Sequence, residues 1–278
     1  MAIKYKNIEI DLNKKTLIMG ILNVTPDSFS DGGNYFDINR AFFKAKEMIK
    51  DGADIIDVGG MSTRPGHEDV SIDEEINRVI PIIKKISSEL DILISIDTYH
   101  WEVAKEAIKN GAHIVNDVWG LQKDNGEMAK IVGESGAILV AMHNKNNTTY
   151  TDDIILSIRN FFKNTFEIAE KNNIKLDKII LDPGIGFGKN LDQNIEVLSR
   201  LEELTDLGPM LLGTSRKGFI GSITNVKIPK DRVYGTIATS IIGIQKGVNI
   251  IRVHDVKEHK EALLMTDKIL KKYVYAQK

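Results

Sequence analysis

Amide, acidic and basic side chains recur in this chain at one kind of position, the polar residue that closes a short apolar run. Asn23, Asp57, Asp97, Asn116, His143 and Asp182 stand at such ends, as do Ser215 with Lys217 and Arg252 with His254. Their chemistry is complementary. Asp97 and Asp182 read as buried hydrogen-bond acceptors, suited to a ligand edge that carries paired N–H donors. Lys217, in Gly213-Thr214-Ser215-Arg216-Lys217-Gly218, and Arg252 and His254, in Ile251-Arg252-Val253-His254-Asp255, are suited to an anion. Acceptors deep in a pocket with cations at its rim fit a nitrogenous heterocycle that bears phosphate. Taken singly, each residue could be a cap or a strand-end hydrogen bond; eight polar ends together argue for one shared mouth.

Two segments carry more special residues than a simple turn requires. One runs from Asn23 to Gly33 and contains Thr25, Pro26, Asp27, Ser28 and Phe29; the other runs from Gly59 to Gly66 and contains Thr63, Arg64 and Pro65. Their glycines permit close approach and their hydroxyl and charged groups bind oxygen anions, so both read as covering lids, with ordinary surface turns as the alternative. Pro183-Gly184-Ile185-Gly186-Phe187-Gly188-Lys189 follows an apolar run, yet it fits neither G-x-G-x-x-G nor G-x-x-x-x-G-K-[ST], because Asn190 follows Lys189. It reads instead as a shaped wall, with Phe187 offered for stacking on a planar ligand. His67, His100, His113 and His259 form no tight metal spacing and default to structural or surface roles. A lone Asn or Asp holding Mg2+ through substrate phosphate leaves no strong motif, since that ion keeps waters and shares phosphate oxygens.

The elements that must position these residues alternate along the whole chain. Runs ending near Leu22, Val58, Asp97, Asn116, Met142, Asp182, Thr214 and His254 are apolar on both faces, as expected of parallel strands buried on two sides. Between them lie one-sided helical stripes. Ile38, Ala41, Phe42, Ala45, Met48 and Ile49 form one; Ile76, Val79, Ile80, Ile83, Ile86 and Leu90 form another, with Glu75, Lys84, Lys85 and Glu89 between them as its polar face. Asp37, Ser71 and Asp73 read as N-caps or first-turn residues, and Gly52, Gly111 and Gly247 as stops. Eight strand-helix alternations predict a (β/α)8 barrel, whose strand ends converge on one face. The alternating segment Ile3 to Ile10 predicts a short N-terminal β-hairpin that closes the barrel bottom, and the stretch from His143 to Asp152 reads as a mobile rim loop.

Composition narrows the class. The 278 residues, with 42% hydrophobic and 27% charged residues, suit one globular domain of barrel size. A net charge of -2 offers no field for a nucleic-acid backbone, and isolated pairs such as Lys84-Lys85 read as solvated surface. No cysteine is present, which removes thiolate chemistry and disulfides. No apolar run is long enough for a membrane span, so a cytoplasmic chain is expected.

Met19 to Gly33, Asp57-Val58-Gly59-Gly60 with Ser62 to Gly66, Ser95-Ile96-Asp97-Thr98, Asn116-Asp117-Val118, Met142-His143, Leu181 to Lys189, Gly213 to Lys217 and Arg252 to Val256 resemble, in this order, the dihydropteroate synthases of the pterin-binding family. The resemblance implies one pterin-binding TIM-barrel domain over residues 1–278. It also implies condensation of 6-hydroxymethyl-7,8-dihydropterin diphosphate with 4-aminobenzoate in folate biosynthesis, with Mg2+ as cofactor and a homodimer as the assembly. By the same resemblance Asp97, Asn116, Asp182 and Lys217 match pterin-binding positions, and Asn23, Thr63, Arg252 and His254 match the diphosphate site, with Asn23 also the metal contact. Thr25, Pro26, Asp27, Ser28, Phe29, Arg64, Pro65, Phe187, Ser215 and Lys217 match the aminobenzoate pocket and its lids. Two places depart from the commonest pattern: Met61 stands where many members carry an acid, and the segment after His143 lacks the usual Gly and Pro.

Overall fold

The computed structural model describes residues 2–5, 8–12, 14–25, 34–61 and 70–270. It opens with a two-stranded antiparallel ribbon of β1 (Ala2–Tyr5) and β2 (Ile8–Asp11), which realises the hairpin. The barrel strands follow as β3 (Leu17–Asn23), β4 (Ile55–Gly59), β5 (Leu93–Asp97), β6 (Ile114–Asp117), β7 (Ile138–Met142), β8 (Ile179–Asp182), β9 (Leu211–Leu212) and β10 (Ile250–Val253). All pair in parallel, in the order β8-β7-β6-β5-β4-β3-β10-β9. A parallel bridge between Leu181 and Met210, with Leu181 N donating to Pro209 O at 2.8 Å, joins the two ends into a closed barrel.

The strands are apolar because both faces are covered. Side chains along β4 and β7 are buried without exception, facing the barrel interior on one side and the helices on the other. The covering helices are α1 (Asn34–Asp51), α2 (Ile72–Glu89), α3 (Trp101–Lys109), α4 (Glu127–Ser135), α5 (Ile154–Lys171), α6 (Leu191–Ser199), α7 (Gly218–Thr224), α8 (Val233–Gln245) and α9 (Val256–Ile269). The α1 stripe packs as its spacing predicts: Ala41, Phe42, Ala45 and Met48 are buried. Ser71 caps α2, its Oγ accepting from Glu74 N at 3.3 Å, and Asp73 stands in the first turn. Asp37 falls inside α1, which begins at Asn34, and Gly52, Gly111 and Gly247 follow α1, α3 and α8.

One position on α2 departs from the sequence reading. Glu75, assigned to the polar face, is 0% exposed, and His100 Nδ1 lies 2.7 Å from its Oε2. Glu75 packs against Gly60, which follows β4, where a Cβ would lie 3.0 Å from its Cγ, and against His100, which follows β5; periodicity does not register such contacts at the end of a helix.

Candidate active site

The C-terminal ends of the strands bring the polar residues together by register. Asp97 on β5 stands beside Gly59 of β4 and Asn116 of β6, while Met142 of β7 stands beside Asp182 of β8. Arg252 enters from β10 and unites the first group. Its Nε donates to Asp57 Oδ2 at 2.6 Å, and its Nη2 donates to Asp97 Oδ2. Asn116 Nδ2 donates to the same Asp57 oxygen at 3.3 Å. Asp57, Asp97 and Asn116 are all buried, and among the described residues Asp57 Oδ1 and Asp97 Oδ1 have no hydrogen-bond partner.

This cluster is electrostatically strained. Burial pushes the Asp97 carboxyl up to about 7; Arg252 opposes the rise, and the charges of Asp57 and Glu75 add to it. Burial also raises Asp182, against the pull of Lys217, the Gly184 N–H and Arg252. Burial works against the Arg252 charge too, but Asp57 and Asp97 outweigh it and hold the guanidinium firmly protonated. Near neutrality the Asp97 carboxyl is therefore poised to ionise when a ligand brings N–H donors, which favour the carboxylate.

The opposite side of the mouth is cationic and hydroxylic. Lys217 precedes α7; its Nζ donates to Ile185 O and lies 4.5 Å from the centroid of the Phe187 ring. Ser215 Oγ accepts from His254 N at 3.1 Å and sits 2.9 Å from His254 Nδ1. Arg216, at φ +60°, binds both carboxylate oxygens of Asp255 and so ties the loop after β9 to the loop after β10. Asp182 Oδ1 accepts from Gly184 N at 2.8 Å and fixes the start of the glycine-rich turn.

Asn23 is half-buried at the end of β3, and Thr25 follows it at the rim. Pro26, Asp27, Ser28, Phe29, Thr63, Arg64 and Pro65 lie outside the described residues. Met61, at the departing position, is buried. Two features differ from the sequence reading. Arg252 is not separated from the acids but bonded to two of them, because a buried carboxylate pair requires a counter-charge. Asp57, which was not assigned a binding role, is the shared acceptor of the cluster; a charged residue inside the run Ile55-Ile56-Asp57-Val58 was the available signal.

A family model described as pterin binding enzyme matches residues 19–254. A curated dihydropteroate synthase of Clostridium beijerinckii is 50% identical over 266 residues, covering 95% of this chain and 98% of that protein. The chain belongs to the dihydropteroate synthase family. Among solved dihydropteroate synthases, the Clostridium difficile enzyme in the presence of pteroic acid superposes with a TM-score of 0.91 at 57% identity, over 94% of this chain and 98% of that one. The Xanthomonas albilineans dihydropteroate synthase with 4-aminobenzoic acid gives 0.89 at 36% identity, over 94% and 95%.

Proposed function

We propose that this chain condenses 6-hydroxymethyl-7,8-dihydropterin diphosphate with 4-aminobenzoate, forming 7,8-dihydropteroate and diphosphate. The observation that carries the reading is the joining of buried acceptors and a fixed guanidinium in one mouth, built by Asp57, Asp97, Asn116 and Arg252. The heterocycle's N–H edge meets the unpartnered Asp97 oxygen and Asp182, with Asn116 beside them. Arg252 and His254 face the diphosphate, and Lys217, whose Nζ lies 4.5 Å from the Phe187 ring centroid, stands between the pterin and the aminobenzoate. The C–O bond to the pterin methylene breaks first, its electron pair leaving with the diphosphate, and the electron-rich ring shares the positive charge next to the two carboxylates. The aromatic amine is neutral near pH 7, so its lone pair forms the new C–N bond and a proton is released without a strong base. Phe187 and Ser215 wall the amine's side of the mouth, and keeping water out of it protects the cationic ring from hydrolysis.

The donor set fits Mg2+. A Cβ built on Gly59 would lie 3.7 Å from Asn23 Oδ1, so that amide oxygen stands at the mouth, while Asp97 Oδ2 beside it is already held by Arg252 and the protein forms no cage. Magnesium that keeps waters and shares phosphate oxygens suits such a sparse set, with Asn23 as its protein contact. When bound it supplies Lewis-acid stabilisation of the departing negative charge.

The same reading makes the chain a single cytoplasmic domain that pairs with a second copy. No described helix is long and apolar enough to cross a membrane. On α8, Tyr234, Ala238 and Ile242 recur at every fourth residue on the outward side, with Tyr234 83% and Ile242 45% exposed, which supports α8 as the homodimer contact. The β1–β2 ribbon lies against the Leu176–Lys178 turn that leads into β8, which supports its closing the barrel bottom.

Purified protein given pterin diphosphate and labelled 4-aminobenzoate is expected to form dihydropteroate in a Mg2+-dependent manner. Pterin binding without any condensation would overturn the reading.

A further inference from the structure

We propose that Lys189 is a positioning residue: its buried Nζ ties the Gly184–Gly188 turn to the end of β7 and so sets where Phe187 stands against Lys217. Lysine side chains normally carry their charge out to water, yet Lys189 is 7% exposed. Its Nζ reaches three acceptors, His143 Nδ1 at 2.8 Å, Gly184 O at 2.9 Å and Phe187 O at 3.1 Å. In the ammonium form its three N–H donors meet these three partners.

The turn is shaped to allow this. Gly184 has φ +67°, and a Cβ there would lie 1.9 Å from His143 O, so the turn rests directly on the residue that follows β7. Gly188, at φ +55°, rests on Lys145, where a Cβ would lie 2.6 Å from the Lys145 carbonyl oxygen. With the backbone wound in this way, the Gly184 and Phe187 carbonyls turn inward to Lys189. Neighbouring bonds grip the remaining groups: Asn194 Oδ1 accepts from Gly186 N at 2.6 Å, and Tyr150 Oη donates to Gly188 O at 2.9 Å. Lys217 Nζ meets the same turn at Ile185 O. A shift in this backbone therefore moves the Phe187 ring and the Lys217 partner together.

The three-donor form belongs to the acid side of neutrality and gives way as pH rises. Burial lowers the Lys189 amine to about 7, with Asp182 opposing and Lys217 assisting the fall. Burial, with Lys189 and Lys145, lowers His143 well below its ordinary value, so the imidazole stays neutral and one of its ring nitrogens keeps a lone pair.

The inference rests on the reading of Phe187 as the aminobenzoate wall, and the test separates the two. Lys189→Met keeps the stem and removes the donors. The expected result is a KM for 4-aminobenzoate raised on the order of 10-fold, with kcat within about threefold and pterin affinity within about twofold. In a Phe187→Ala background the same substitution is expected to add little, because both act through one ring. Hydrogen exchange at the Gly184–Gly188 amides is expected to rise without any ligand. Unchanged exchange overturns the positioning role; raised exchange with an unchanged KM overturns its effect on substrate. An unchanged KM in Phe187→Ala alone overturns the wall reading, and the exchange result still decides on Lys189. If Lys189→Met does not yield folded protein, Lys189→Gln, which keeps two N–H donors on a shorter stem, carries the same comparisons.

Discussion

Replacing Asp97 by asparagine separates what the buried carboxylate does for a ligand from what it costs the fold. Burial lifts this carboxyl from 3.8 to about 7 even with Arg252 bonded to it. At ~1.36 kcal/mol per pH unit, carrying the charge inside the fold above neutrality costs about 4 kcal/mol relative to the unfolded chain. The folded-state pKa lies above the unfolded value, so between about pH 4 and about pH 7 the folded chain holds a proton that the unfolded chain releases. Wild-type stability therefore falls as pH rises through that window and levels off above it. Asparagine resembles the protonated acid and does not ionise. The variant is expected to match wild type near pH 4 and to be the more stable protein above pH 7, by up to about 4 kcal/mol.

Ligand binding should move the opposite way. An asparagine cannot offer an anionic oxygen to a ligand N–H donor, and a hydrogen bond to a charged group contributes about 1.5–3 kcal/mol, which is tenfold or more in affinity. Calorimetric unfolding of both proteins from about pH 5 to about pH 8.5 reads the first effect. Titration of pterin at pH 8 reads the second. Parallel stability curves for the two proteins, or equal pterin affinity, would refute the reasoning.

Further outcomes follow from individual contacts. Lys217→Ala and Arg252→Met are each expected to lower kcat/KM on the order of 10-fold or more, and near-wild-type steady-state kinetics in both would remove their anion-handling roles. Arg252→Met should also destabilise the fold by about 3–5 kcal/mol in urea titration, because Asp57 and Asp97 lose their shared counter-charge. Gly184→Ala forces a Cβ against His143 O at a positive φ and should cost more than ~1 kcal/mol; an unshifted Tm would contradict the described turn. Ile242→Glu places a charge in the exposed stripe of α8 and is expected to yield a monomer by light scattering, where an unchanged dimer mass would exclude α8 as the contact.

The barrel was legible because its signals are local. A charged residue ends an apolar run, so the predicted ends at Asp97, Met142 and Asp182 coincide with those of β5, β7 and β8. The seventh strand is the exception: its pairing stops at Leu212, two residues before the expected Thr214. The residues of the mouth were legible for the same reason, but their bonding was not. Arg252 and Asp57 are 195 residues apart, and Arg252 and Asp97 are 155 apart, so no spacing along the chain marks them as partners. Lys189 was weighed only as part of a nucleotide motif, since burial of a lysine depends on a turn folding around it.

The bonding also explains why the site is poised. Arg252 has one guanidinium for two buried carboxylates, and each of those acids is left with one oxygen that has no partner among the described residues. An unsatisfied buried acceptor costs on the order of 1–3 kcal/mol, so the unliganded mouth holds unfavourable energy in the atoms that a heterocyclic N–H edge would meet. A ligand relieves that deficit at Asp97 and lowers the carboxyl's need for Arg252. The guanidinium, held protonated by the same two acids, is then better able to share its remaining donors with an anion carried on the other end of that ligand. On the proposed reading, grip on the ring and grip on the leaving group would be coupled through one side chain, and substitution of either acid should alter the binding of both ends.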